Sequence, residues 1–134
     1  MDRIRSIEQL KAELQPHEES RMEKLREKLK HDVAVHVQEE LMDKNRFEEE
    51  LIFYLEKMDI NEEKVRLDTH CLYFMETLQE DTMEKGKKLG FIAQEIGREI
   101  NTIGSKANDA NMQKIVVQMK DELEKIKEQV LNIL

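Results

Sequence analysis

One cysteine, one proline, four glycines, six aromatic residues and no tryptophan are spread over 134 residues. With a lone thiol, Cys71, the chain cannot close an internal disulfide or build a thiolate zinc cage, and a reducing, cytoplasmic compartment is expected. So little glycine and proline argues against a sandwich or barrel, whose many turns consume both. The longest apolar run is five residues, Leu51 to Leu55, and Met1-Asp2-Arg3-Ile4 opens no hydrophobic stretch, so neither a membrane span nor a secretory leader is expected. What the chain has is charge and aliphatic bulk: 22 basic and 30 acidic side chains give a net charge of -8. That balance disfavours indiscriminate nucleic-acid binding, because affinity for phosphates comes from Lys and Arg releasing counterions. Local exceptions are Arg21 to Lys30, with five basic and two acidic residues, and the Lys85, Lys87 and Lys88 cluster. Several copies in an oligomer would line a channel with such patches.

The apolar residues repeat at helical spacing. Met112, Val116, Met119, Leu123, Ile126, Val130 and Ile133 alternate steps of four and three, and Leu89, Ile92, Ile96, Ile100 and Ile103 do the same before them. Asn108-Asp109 offers a cap between the two segments, which are expected to fold back as a hairpin. Capping boxes are read at Asn45 with Glu48, Asp59 with Glu62, and Asp81 with Glu84, the second opening a helix through Val65, Leu67, Leu72, Met75 and Leu78. Residues 1 to 31 carry Ile4, Ile7, Leu10, Leu14, Met22, Leu25 and Leu29, with a kink or restart expected near Pro16. Val33, Val35 and Val37 alternate like a strand, but a lone strand has no partner here, so 32–38 reads as loop or frayed helix. The fold class is therefore all-α: an antiparallel bundle of about five helices, with residues 1–43 as an extended N-terminal arm and 44–134 as the helical domain.

Gly90, Gly97 and Gly104 recur every seven residues and leave one helix face almost bare. Each interior glycine costs roughly 0.5 to 1 kcal/mol against alanine, so close approach of something must offset it. A neighbouring helix is the plainer occupant, and a partner chain or nucleic-acid backbone the alternative. Beside that face Gln94, Glu95, Arg98, Glu99, Asn101, Thr102, Ser105 and Lys106 crowd together. Glu95 and Glu99, one turn apart, form a candidate oxygen-rich seat for magnesium or manganese, with Arg98 and Lys106 as competing ion-pair partners. Glu63, Arg66 and His70 fall on one line of the preceding helix and are expected to face this patch, His70 serving as proton carrier or ligand. His17, His31 and His36 lack ligand spacing. Gly86-Lys87 lacks the rest of a phosphate-binding loop, and no Gly-x-Ser-x-Gly elbow occurs.

The ordered series Asp59-Ile60-Asn61-Glu62-Glu63, Arg66-Leu67, His70, Gly86-Lys87-Lys88-Leu89, Gln94-Glu95, Arg98-Glu99, Asn101-Thr102 and Ser105-Lys106 resembles the C-terminal region of the bacterial YicC-like (YicC/YloC) endoribonucleases. The likeness runs over about residues 44–134. It implies cleavage of RNA by a divalent-metal-dependent, hexameric, cytoplasmic protein whose members have an additional N-terminal domain. Glu95, Glu99, His70 and Arg98 become the expected catalytic group, Glu63, Glu95 and Glu99 the expected metal ligands, and Arg66, Lys87, Lys88 and Lys106 the expected RNA contacts. Gly90 stands where that family commonly has Asp and Gly97 where it commonly has Asn, so neither position is assigned chemistry. Single-stranded or looped RNA is the expected substrate, with little readout by stacking because aromatics are few. No small-molecule cofactor is expected. A non-catalytic helical module for oligomerisation or protein docking is the competing reading.

Overall fold

A computed structural model describes residues 2–36, 44–107 and 109–133. They form five helices: α1 (Asp2–His36), α2 (Lys44–Met58), α3 (Asn61–Leu78), α4 (Lys85–Lys106) and α5 (Ala110–Ile133). Among the described residues there is no strand. α4 packs between α3 and α5, and α1 closes the bundle against α5 and α3, while α2 lies on α1. The contacts of α1 with α5 and α3, of α3 with α4 and of α4 with α5 are antiparallel: Arg3 of α1 meets Glu122 of α5, Lys11 meets Asp68 of α3, Glu63 of α3 meets Lys106 of α4, and Gly97 and Gly104 of α4 lie against Leu123 and Val116 of α5.

The all-α expectation holds, and so does the stripe in α4 and α5, where Leu89, Ile92, Ile96, Ile100, Ile103, Met112, Val116, Met119, Leu123, Ile126 and Val130 are all buried. Ile133 is exposed at the end of α5. In α3 the core face is Leu67, Cys71 and Phe74, whereas Val65 and Leu72, expected inside, face solvent. A helical period sets the spacing of a stripe, and the partners of α3 on two sides select which stripe is covered.

α1 is longer and less interrupted than expected. It runs through Pro16 without a break and on to His36, so Val33 and Val35 are helical and Val37 lies outside the described residues. Pro16 forfeits one backbone hydrogen bond, which the burial of Ile4, Ile7 and Leu14 on one side of it and the Glu18–Lys64 contact on the other offset. The first part of the expected arm is thus part of the core. Past Arg21, Leu29 is the one buried side chain among residues 22–31.

Helix ends also differ from the reading of three capping boxes. α3 and α4 start at N-caps Ile60 and Glu84 with no side-chain cap bond, and Asp59 Oδ1 instead accepts the Asn61 N–H at 2.9 Å in a local turn. α2 begins at Lys44, one residue before the expected cap. The C-termini are held by long-range donors. Arg21 donates from Nη2 to the Met58 carbonyl at 2.8 Å and from Nη1 to the Lys106 carbonyl at 3.0 Å, so one guanidinium caps α2 and α4 together. Burial lowers the Arg21 pKa, opposed by the charges of Glu18 and Asp109. Gln113 donates to the Gly104 and Ala107 carbonyls at 2.7 and 2.5 Å and closes the α4–α5 turn.

The glycine face divides. A Cβ on Gly97 would stand 3.0 Å from Leu123 Cδ2, and one on Gly104 would stand 3.1 Å from Val116 Cγ1, so α5 lies tight against both. At Gly90 nothing lies within 4 Å. There the two helices diverge into an open apolar groove of about 570 Å³, lined by Gly86, Gly90, Phe91, Ala93, Val130 and Leu131 among others.

Candidate active-site seam between α3 and α4

Antiparallel packing with a seven-residue period places one polar position of α3 opposite one of α4 every second turn. At one end Lys106 Nζ donates to Glu63 Oε1 at 2.7 Å and to the Asp59 carbonyl at 3.1 Å. Two turns along, His70 Nδ1 lies 3.9 Å from Glu99 Oε1. The carboxylate side chain there is 6% exposed and the imidazole 25%. Nearer the far end, Lys88 donates to Glu80 at 3.0 Å and sits over the Tyr73 ring, 5.0 Å from its centre. The Glu80 carboxylate first, and the Tyr73 hydroxyl second, raise the Lys88 pKa.

Three buried polar atoms on one seven-residue line of α3 lack a hydrogen-bond partner, Glu63 Oε2, His70 Nδ1 and Thr77 Oγ1. Such orphans are uncommon in packed interiors and mark places where another group is accommodated. At the Lys106 end of the same seam, Glu18 Oε1 and Arg21 Nε are similarly unpartnered beside a cleft of about 260 Å³ bounded by Met58, Asp59 and Ile60.

The expected residues are sorted by this geometry. His70 and Glu99 come together, and Glu63 meets Lys106, so an expected metal ligand and an expected RNA contact neutralise each other. Lys88 is paired with Glu80, and Arg66 with Glu62 on its own helix. Lys87, Gln94, Glu95 and Arg98 are exposed along the outer side of α4, with no side-chain partner among the described residues. Glu95 and Glu99 differ in burial: four residues are about 40° more than one turn, and Glu99 is buried under α3 while Glu95 is exposed to solvent. Among the described residues no three His, Cys, Asp or Glu side chains converge as a metal seat. Thr102 and Ser105 hydroxyls are spent on the Arg98 and Asn101 carbonyls of their own helix. Tyr73 and Arg21 were missed by the sequence reading; only the basic run beginning at Arg21 hinted at the second.

Fold and seam define an all-α module carrying a histidine–carboxylate contact beside an exposed, partly cationic helix face. The chain matches, over residues 14–134, the family model described as endoribonuclease YicC-like, C-terminal, and it belongs to that family. It is 39% identical over 122 residues to a probable endoribonuclease YicC of Clostridioides difficile (strain 630), an alignment covering 90% of this chain and 41% of that protein. It is 34% identical over 92 residues to a probable endoribonuclease YicC of Haemophilus influenzae (strain ATCC 51907 / DSM 11121 / KW20 / Rd), covering 69% of this chain and 32% of that protein. The chain thus spans less than half the length of either relative. No helix among the described residues is long and apolar enough to cross a membrane.

Proposed function

We propose that this chain is the RNA-handling C-terminal part of an endoribonuclease acting in the cytoplasm on single-stranded or looped RNA, with the α3–α4 seam as its working surface. The observation that carries the reading is the 3.9 Å approach of half-buried His70 to buried Glu99, with Arg98 exposed next to Glu99 and with Lys87 and Gln94 exposed farther round α4 on its groove side, none of the three having a hydrogen-bond or ion-pair partner among the described residues. Cations left unpaired in a protein of charge -8 are the ones free to meet phosphate, and an imidazole beside a carboxylate is equipped to move a proton. Of the RNA contacts expected from the sequence, Lys87 keeps its charge free, while Arg66, Lys88 and Lys106 must exchange a carboxylate for a phosphate.

The magnesium or manganese ion implied by family resemblance does not fit a seat formed by Glu63, Glu95 and Glu99 within this chain, because Glu63 is neutralised and Glu95 is exposed to solvent while Glu99 is buried. Cleavage with and without manganese tests the need for such an ion. A second reading, self-association, is favoured by the open groove at Gly90, where Phe91 and Leu131 remain 59% and 67% exposed. The two are compatible, since an oligomer would set several seams around a shared channel.

The test is cleavage of a labelled stem-loop RNA by the intact protein, with and without manganese. Replacing both Lys87 and Arg98 by Ala is expected to weaken RNA binding at least tenfold with unchanged thermal unfolding. Unchanged binding by that variant moves the interface off α4.

A further inference from the structure

Resting on the RNA-cleaving reading, we propose that Glu99 is a positioning residue for His70, and that His70 accepts the proton of the ribose 2′-hydroxyl, so that cleavage proceeds by internal attack. The two ends of the imidazole are treated differently by the fold. Nδ1 is buried with no hydrogen-bond partner and has the Glu99 carboxylate 3.9 Å away, whereas a quarter of the side chain stays in solvent. A carboxylate on the Nδ1 side favours the tautomer with the hydrogen there, which leaves the lone pair on the opposite nitrogen, Nε2. The gap is about 1 Å wider than a hydrogen bond, and catalytic contacts of this kind tighten when substrate binds.

Burial fixes Glu99 in this role and keeps it from touching substrate itself. Its side chain is 6% exposed under α3, so the carboxylate reaches RNA through the imidazole. Arg66, one turn before His70 on α3 and paired with Glu62 at the surface, is the cation placed along that helix to meet the phosphate. The other described histidines whose side chains are placed, His17 and His31, sit on α1 and offer no such arrangement.

The step consumes no water overall, solvent only giving one proton and taking back another. The 2′-oxygen attacks phosphorus as its proton passes to His70 Nε2, the P–O5′ bond breaks, and the departing O5′ is protonated by solvent while the imidazolium returns its proton. The products are a 2′,3′-cyclic phosphate on one fragment and a 5′-hydroxyl on the other, and the ribose 2′-oxygen is indispensable. Hydrolysis by an activated water would leave other ends and would tolerate its removal.

The experiment uses the intact protein and a stem-loop RNA with a defined cut site, next to the same RNA carrying a single 2′-deoxy nucleotide there. Expected are cyclic-phosphate and 5′-hydroxyl ends, and no cut at the deoxy position. His70→Gln is expected to lower kcat at least a hundredfold, and Glu99→Gln ten- to hundredfold with KM unchanged and partial recovery in Glu99→Asp. Circular dichroism and thermal unfolding of the same variants separate lost positioning from lost fold. Cutting at the deoxy position, 5′-phosphate ends, or a His70→Gln rate equal to the parent overturns this mechanism and leaves the endoribonuclease reading standing. No cleavage of any RNA by the intact parent protein overturns both.

Discussion

Lys106 Nζ lies 2.7 Å from Glu63 Oε1, across the seam between α4 and α3, and the carboxylate side chain it serves is 7% exposed. The pair acts as a clasp, since the same ammonium also binds the Asp59 carbonyl where α3 begins. Removing one partner of such a pair costs more than replacing both, because a stranded buried charge keeps its desolvation penalty. Lys106→Met is therefore expected to cost about 2 to 4 kcal/mol, and adding Glu63→Leu to restore part of it. Urea unfolding of the three variants checks this, and a double variant no better than the single contradicts it.

The glycines of α4 predict a ranked series. Gly90→Ala meets open space and is expected to stabilise by about 0.5 to 1 kcal/mol through helix propensity. Gly97→Ala presses the end of Leu123, a side chain able to swing, and should be near neutral. Gly104→Ala presses Val116, which is β-branched and 1% exposed, and should destabilise by about 1 to 3 kcal/mol. Melting temperatures in the order Gly90→Ala, Gly97→Ala, Gly104→Ala, highest first, are the expected outcome. A destabilising Gly90→Ala would mean that something covers the groove.

Arg21 offers two donors to two helix ends at once. Arg21→Lys keeps the charge but loses the fork, so it should retain less than half of the stabilisation that Arg21→Ala removes, about 2 to 3 kcal/mol. Chemical denaturation of both variants distinguishes fork from charge, and equal stability of Arg21→Lys and the parent would show that charge alone suffices.

Cys71 is fully buried, and burial, followed by the charges of Glu8 and Asp68, pushes its thiol pKa up to about 12. An acid whose folded pKa is raised contributes stability at low pH that fades as pH climbs from the unfolded thiol value, about 8.5, towards 12. Iodoacetamide should leave the folded chain unmodified at pH 8 and label it once urea unfolds it. Rapid labelling of the native protein would place Cys71 at the surface.

Much of the fold was legible because α4 and α5 each bury one continuous stripe, and a stripe of isoleucines every three or four residues has few other uses. Val65 and Leu72 misled for the complementary reason, since α3 also carries apolar residues on its open side and periodicity alone does not name the covered face. Capping boxes failed at Asp59 and Asp81 because the same residue types serve local turns, and the bonds that do hold helix ends, from Arg21 and Gln113, cross to other helices. In the site, the placing of Glu63, Arg66 and His70 on one line of α3 suggested that they face the α4 patch that holds Glu99 and Lys106, and Glu63 and His70 do. It could not foretell which meets which: register makes Lys106 the partner of Glu63 and leaves Glu99 to His70, and across the 40° offset Glu99 is buried while Glu95 is exposed.

Cross-linking of a 4-thiouridine-labelled stem-loop RNA to the intact protein, with adducts mapped by mass spectrometry, tests most directly whether RNA is handled at the α3–α4 seam. Adducts concentrated between Glu62 and Tyr73 and between Lys87 and Lys106, and lost in the Lys87→Ala, Arg98→Ala double variant, are predicted. Adducts confined to α2 or to the outer side of α5, unaffected by that variant, would contradict it.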